Sequence, residues 1–127
     1  MKFSFRIIED NYYPIIDLII ENKDKKIRTH AIVDTGASIS IFRSEIAETI
    51  GINLEDGEKR IFQGASSKLV GYVHEVKLTI NNYSFRCKMA FSDDLQTGLN
   101  LLGRESVFDK FILLFNEKEK FLEIKEI

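Results

Sequence analysis

The sequence has one cysteine, no long apolar run and almost no excess of charge, and each shortage excludes a class of protein. Cys87 alone cannot close an internal disulfide. That rules out a disulfide-stapled scaffold, fits a reducing compartment, and leaves Cys87 to read as a small buried hydrophobe on a strand. Eighteen Lys and Arg against twenty Asp and Glu give a formal charge of −2, which offers no footprint for nucleic acid or an anionic membrane. The apolar stretch from Pro14 to Ile20 is interrupted by Asp17 and falls well short of the ~20 residues a spanning helix needs. MKFSFRIIED lacks the sustained apolar segment of a secretory signal, so the expected location is the cytoplasm, where the sequon Asn82-Tyr83-Ser84 would stay unused. Zinc-ligand spacing is missing too, since His30 and His74 lie far apart and His30 reads as a strand residue. Gly64-Ala-Ser-Ser-Lys68 lacks the glycine spacing of a P-loop, and no Gly-x-Ser-x-Gly elbow occurs. The expectation is no metal and no cofactor.

What is present is a chain of 127 residues, 44% hydrophobic, suited to one compact domain over residues 1–127 without repeat, linker or low-complexity tract. The pattern is mostly β. Met1, Phe3, Phe5 and Ile7 alternate with polar residues, the period-two mark of a strand with one buried face. Tyr12 to Ile20 and Ile27 to Val33 are apolar, β-branched runs joined by the polar Asn22 to Lys26, a natural hairpin loop. Ile39, Ile41 and Phe42 continue extended structure until Ser44, positioned to cap a short helix over Glu45 to Ile50 that Gly51 ends. Arg60 to Phe91 reads as two hairpins turning at Gly64 to Ser67 and at Asn81-Asn82, with Val73, Val76, Leu78 and Ile80 as apolar positions. A strand near Leu99 to Leu102 meets Gly103. Arg104 to Lys110 then suggests a second short helix, with Val107 and Phe108 inward, before a closing hairpin of Phe111 to Phe115 with Lys120 to Ile124. The expected total is at least seven strands and two short helices. Asp93 and Asp94 read as a solvated turn, and Tyr12 and Tyr13 either pack at a sheet edge or line a cleft.

The chemistry lies where Ala31, Ile32 and Val33 run into Asp34, Thr35, Gly36, Ala37 and Ser38. A carboxylate at the end of a buried strand needs hydrogen-bond donors. Gly36, without a Cβ, lets backbone N–H groups turn against it, and the hydroxyls of Thr35 and Ser38 are placed to brace the loop. Taken alone, Asp-Thr-Gly also describes an ordinary turn between strands.

Ala31-Ile-Val-Asp-Thr-Gly-Ala-Ser38 resembles the active-site loop of retropepsin-like aspartic proteases. Asn100-Leu-Leu-Gly-Arg-Glu105 resembles their second signature, in the family's order and spacing, and the closing part looks like the bacterial and cellular members. The resemblance implies an all-β fold: a small closed acid-protease barrel with one or two short helices. It further implies a flap over Phe62 to Val70 whose tip is Gly64, Ala65, Ser66 and Ser67, with Leu101 and Leu102 as core beneath the site and Gly103 and Arg104 leading into the helix.

Only one Asp-Thr-Gly occurs, so the resemblance implies a homodimer in which each subunit contributes Asp34. Two like charges a few Å apart cannot both ionise, so they share a proton and activate a water against a peptide carbonyl. The implied substrate is an extended peptide or unfolded protein. Thr35 would bond across to the partner subunit or brace its own turn. In viral members an acidic residue two places after the glycine pairs with the arginine of the second signature; Ser38 stands there, leaving Arg104 to Ser38, Glu45, Glu105 or water. The closing strand, Lys120 to Ile127, belongs either to a dimer interface or to its own barrel. The rival reading is a catalytically silent module of the same fold, used for dimerisation or peptide binding.

Overall fold

The computed structural model describes residues 1–63, 67–95 and 98–127. Twelve strands occur among them: β1 Lys2–Ser4, β2 Arg6–Ile8, β3 Asn11–Tyr13, β4 Ile15–Asn22, β5 Lys25–Val33, β6 Ser40–Arg43, β7 Glu58–Gln63, β8 Lys68–Ile80, β9 Tyr83–Ser92, β10 Asn100–Leu102, β11 Phe111–Asn116 and β12 Phe121–Glu126. One α-helix, α1 over Ser44–Thr49, and 3-10 turns at Leu54–Asp56 and Phe108–Lys110 accompany them. None is a helix long and apolar enough to cross a membrane.

The β-branched runs make the barrel. β4 and β5 form a hairpin whose register runs from Asn22↔Lys25 to Ile15↔Ile32, and β8 and β9 turn at Asn81, which adopts a left-handed φ of 53° that asparagine tolerates. Hydrogen bonding runs β4-β5-β10-β6-β9-β8, and β4 pairs back onto β8 at Ile20↔Leu78, so six strands close into a ring. Closure removes the open edges that would otherwise invite pairing with another chain. β7 lies outside the ring, hairpinned onto β8.

Inside the ring, alternate residues of β4 (Ile16, Leu18, Ile20) and β8 (Val76, Leu78, Ile80) meet Phe42, Ile46, Phe91 and Leu102. Each such side chain taken from water stabilises the fold by roughly 1.5–3 kcal/mol. A smaller cluster of Ile39, Ile41, Val73 and Ala90 sits apart, with Phe62, Leu69 and Leu95 packed against it.

Three expectations change. The alternation from Met1 to Ile7 is broken at Phe5, whose N–H donates to the Lys120 carbonyl at 2.9 Å. β1 pairs with β12 while β2 leaves to pair with β3, so Ile7 is 61% exposed; a change of strand partner leaves no trace in periodicity. Ser44 does not cap α1 with its side chain. It is the helix's first residue, and its hydroxyl donates to Asp93 instead. Gly51 does end the helix, at φ 74°, with its N–H on the Glu48 carbonyl. The second helix is reduced to turns and the 3-10 segment Phe108–Lys110, although Val107 is fully buried.

The closing strand stays at home. β12 pairs with β1 on one side and β11 on the other, so both of its edges are used within the chain.

Candidate active site

β5 ends between two clamps. The Val33 N–H donates to the Pro14 carbonyl and the Asp34 N–H to the Leu102 carbonyl, each at 2.9 Å. β10 runs parallel to β5 in the register Leu102↔Val33 and antiparallel to β6 at Leu101↔Ile41. This short strand is held by one buried amide side chain. Asn100 accepts from the Arg43 N–H at 2.9 Å and donates to the His30 carbonyl at 2.9 Å, fastening β5 and β6 to either side of itself. Asn100 opens the second signature, and its only signal in the sequence is a polar residue at the start of an apolar strand.

Asp34 is half-buried, and its Oδ1 accepts from the Gly36 N–H at 2.9 Å. A Cβ on Gly36 would lie 3.2 Å from that oxygen, so the glycine is what permits the close approach. The Ala37 N–H closes the turn on the Asp34 carbonyl at 3.1 Å. The next residues are stitched to the second signature by main chain alone: Arg104 N–H to Ala37 O at 3.0 Å, and Glu105 N–H to Ser38 O at 2.8 Å. Gly103 makes that crossing possible. A Cβ there would stand 2.4 Å from the carbonyl carbon of Ile39, and the Gly103 N–H donates to Ser40 Oγ at 2.9 Å.

The expected bracing by hydroxyls is therefore corrected. Thr35 and Ser38 are exposed, and neither side chain bonds to a described residue. Arg104 is also exposed, and its guanidinium makes no ion pair among the described residues. Glu105 turns to Arg60 at 3.4 Å, and Glu45 to Arg43 at 3.5 Å. The two leucines of the second signature divide between faces. Leu102 is buried in the core, whereas Leu101 is half-buried and lines a cleft, because successive residues of a strand point to opposite sides.

That cleft measures about 510 Å³. Asp34, Gly36 and Leu101 lie on one side, and Ile61, Phe62, Ser67 and Leu69 of the β7–β8 hairpin on the other. Of the residues expected at a flap tip, Ser67 lines the cleft; Gly64, Ala65 and Ser66 lie outside the described residues. Its walls are partly apolar and its floor carries a carboxylate, an arrangement able to hold an extended chain against an acid–base group.

Other titratable groups lie elsewhere. His30 is exposed on β5, and His74 Nε2 sits 2.8 Å from the Leu54 carbonyl. Cys87 is a buried strand residue, and burial pushes its thiol up to about 12. A hydrogen bond from Arg60 at 2.6 Å holds the Glu58 carboxyl below its ordinary value. No group of three or more His, Cys, Asp or Glu among the described residues is placed to hold a metal. Asp93 and Asp94 lie in an exposed bend, as the solvated-turn reading expects, and they also carry bonds that it does not foresee. Both are exposed but bonded, Asp93 to Ser44 and Asp94 to the Val70 N–H at 2.9 Å.

Residues 18–106 match the sequence pattern of a family described as aspartyl protease. No curated protein matches the sequence. Among solved structures, a retropepsin-like aspartic protease from Rickettsia conorii is similar over 98% of both chains, with a TM-score of 0.73 at 22% identity. The EIAV protease complexed with the inhibitor HBY-793 is similar over 82% of this chain and 92% of its own, with a TM-score of 0.59 at 15% identity.

Proposed function

The chain belongs to the aspartyl protease family, and on that premise we propose that it is an aspartic endopeptidase acting as a homodimer, with Asp34 of each subunit forming the catalytic pair. One observation carries the reading: the only Asp-Thr-Gly of the sequence delivers its carboxylate into the cleft, held by a glycine N–H at 2.9 Å. One such group is half of the machinery. A second copy supplies the other half, and two carboxylates brought together on a two-fold axis share one proton.

The chemistry then follows from the paired carboxylates. The ionised one takes a proton from a water lying between them, and the protonated one donates to the substrate carbonyl oxygen. Water oxygen bonds to the carbonyl carbon, giving a tetrahedral diol. Its collapse breaks the C–N bond as a proton passes to the leaving amine, and no covalent enzyme intermediate forms. Around this centre the β7–β8 hairpin acts as the flap, its backbone groups and those of the Asp34 loop receiving an extended peptide. The free hydroxyl of Thr35 is available to the partner subunit's loop.

The test compares wild type with Asp34→Asn on an unfolded protein substrate, from acidic to neutral pH and over a range of enzyme concentrations. Wild type is expected to cleave, with activity per chain rising with concentration as dimer forms. Equal cleavage by the two proteins would refute the assignment. Activity per chain independent of concentration, in a strict monomer by light scattering, would refute the dimeric dyad.

A further inference from the structure

The β8–β9 ladder ends at Tyr72↔Phe91, before β8 reaches the cleft. The remaining piece, Lys68 to Gly71, continues with β7 as a two-stranded stem, paired from Arg60↔Gly71 to Gln63↔Lys68. Two strands alone are marginal in water, so what steadies the stem from the barrel side matters. Two residues following the ladder, Ser92 and Asp94, do so. The Ser92 hydroxyl donates to the Val70 carbonyl at 2.5 Å and accepts from the Asp94 N–H at 3.0 Å, while the Asp94 carboxylate accepts from the Val70 N–H at 2.9 Å. Both backbone groups of Val70 are thus taken by side chains of one short segment. Ser92 is buried, and its hydroxyl is used as donor and acceptor at once.

The segment is itself fixed. Asp93 accepts from Ser44 at the start of α1, and Leu95 packs on the same small cluster as Phe62 and Leu69. Phe62 and Leu69 face each other across the stem and line the cleft opposite Asp34. Val70 is the immediate neighbour of Leu69. Whatever fixes Val70 therefore fixes that wall.

We infer that Asp94 is a positioning residue for substrate: by holding the Val70 N–H it sets where the β7–β8 stem stands over the cleft, and hence the seat offered to the peptide. This deepens the protease reading and rests on it. Asp94 touches no reacting atom. Its loss loosens the wall while leaving the Asp34 loop intact, so binding suffers more than turnover.

Asp94→Ala and Asp94→Asn are compared with wild type by peptide-cleavage kinetics and by amide hydrogen exchange. In Asp94→Ala, KM is expected to rise about fivefold with kcat within about twofold, and the Val70 amide to exchange about tenfold faster while Val76 and Leu78 in the barrel stay protected. Asp94→Asn keeps a side-chain oxygen that accepts, and it should return both quantities to within about twofold of wild type. Unchanged Val70 exchange in Asp94→Ala overturns the proposal, and so does faster exchange with an unchanged KM. A wild-type protein that cleaves nothing sinks the protease reading instead, while exchange at Val70 still decides whether Asp94 holds the stem.

Discussion

The loop that carries Asp34 and the β7–β8 stem opposite it line one cleft, yet they are anchored by different parts of the chain. The loop is held by main chain on main chain: Asp34 to Leu102, Arg104 to Ala37, Glu105 to Ser38. The stem is held on the barrel side by side chains, through Ser92 and Asp94 at Val70 and through Arg60 to Glu105. These anchors are main-chain groups, so exchanging one ordinary side chain for another at the bonded positions deletes none of them; only proline, which lacks the N–H, or added bulk would. The stem's anchors can be removed one residue at a time. The cleft thus pairs a floor of fixed shape with an adjustable wall.

The sharpest break is between chemistry and shape on the floor. Asp34→Asn keeps an oxygen for the Gly36 N–H, so the loop should retain its geometry while cleavage falls about 10³-fold or more. Peptide hydrolysis beside an unchanged circular dichroism spectrum checks both halves. Gly103→Ala does the opposite. Its Cβ would meet the Ile39 backbone at 2.4 Å with no flexible side chain to yield, and stability in urea should drop by about 1–3 kcal/mol.

On the wall the effects are smaller. Arg60→Ala removes the hydrogen bond that lowers Glu58, so NMR titration should show the Glu58 carboxyl moving back up toward 4.5. With Arg60 present the folded pKa is the depressed one. That contribution to stability exists above the unfolded value and is lost as pH falls through the folded one, and the variant should show less of this acid sensitivity.

Under native conditions the barrel around Cys87, away from both regions, should keep its packing in all the variants. Cys87, whose thiol burial raises from 9.0 to about 12, is the internal control. At neutral pH the native thiol should resist alkylation in all the variants. The native state keeps this proton longer than the unfolded chain, so its contribution is complete below pH 9 and is lost as pH rises toward 12. Cys87→Ala should therefore lose less stability than wild type over that alkaline range in urea titrations.

Much of this was legible in the sequence because it was local. Strands β4, β5, β8 and β9 declare themselves as β-branched runs ending at turn residues, and the Asp34 loop and Leu101-Leu102-Gly103 are short and specific. What escaped depended on partners distant along the chain. Ser44 looks like a helix cap until Asp93, 49 residues away, claims its hydroxyl. Asp94 looks solvated because the N–H it serves is 24 residues upstream. Phe5 keeps the alternation of a single strand while the chain changes neighbours beneath it. Arg104 illustrates a different shortfall: Ser38 marks the missing acid, but nothing local says whether another group takes its place.

The three-residue strand Asn100–Leu102 lies between β5 and β6, some seventy and sixty positions earlier in the chain. Ribosomal synthesis proceeds from the other end, so the β4–β5 and β8–β9 hairpins can form while the Asp34 turn still lacks the backbone that pins it. The Asp34 cleft is then among the last features to mature, taking its shape only when the fold is nearly complete.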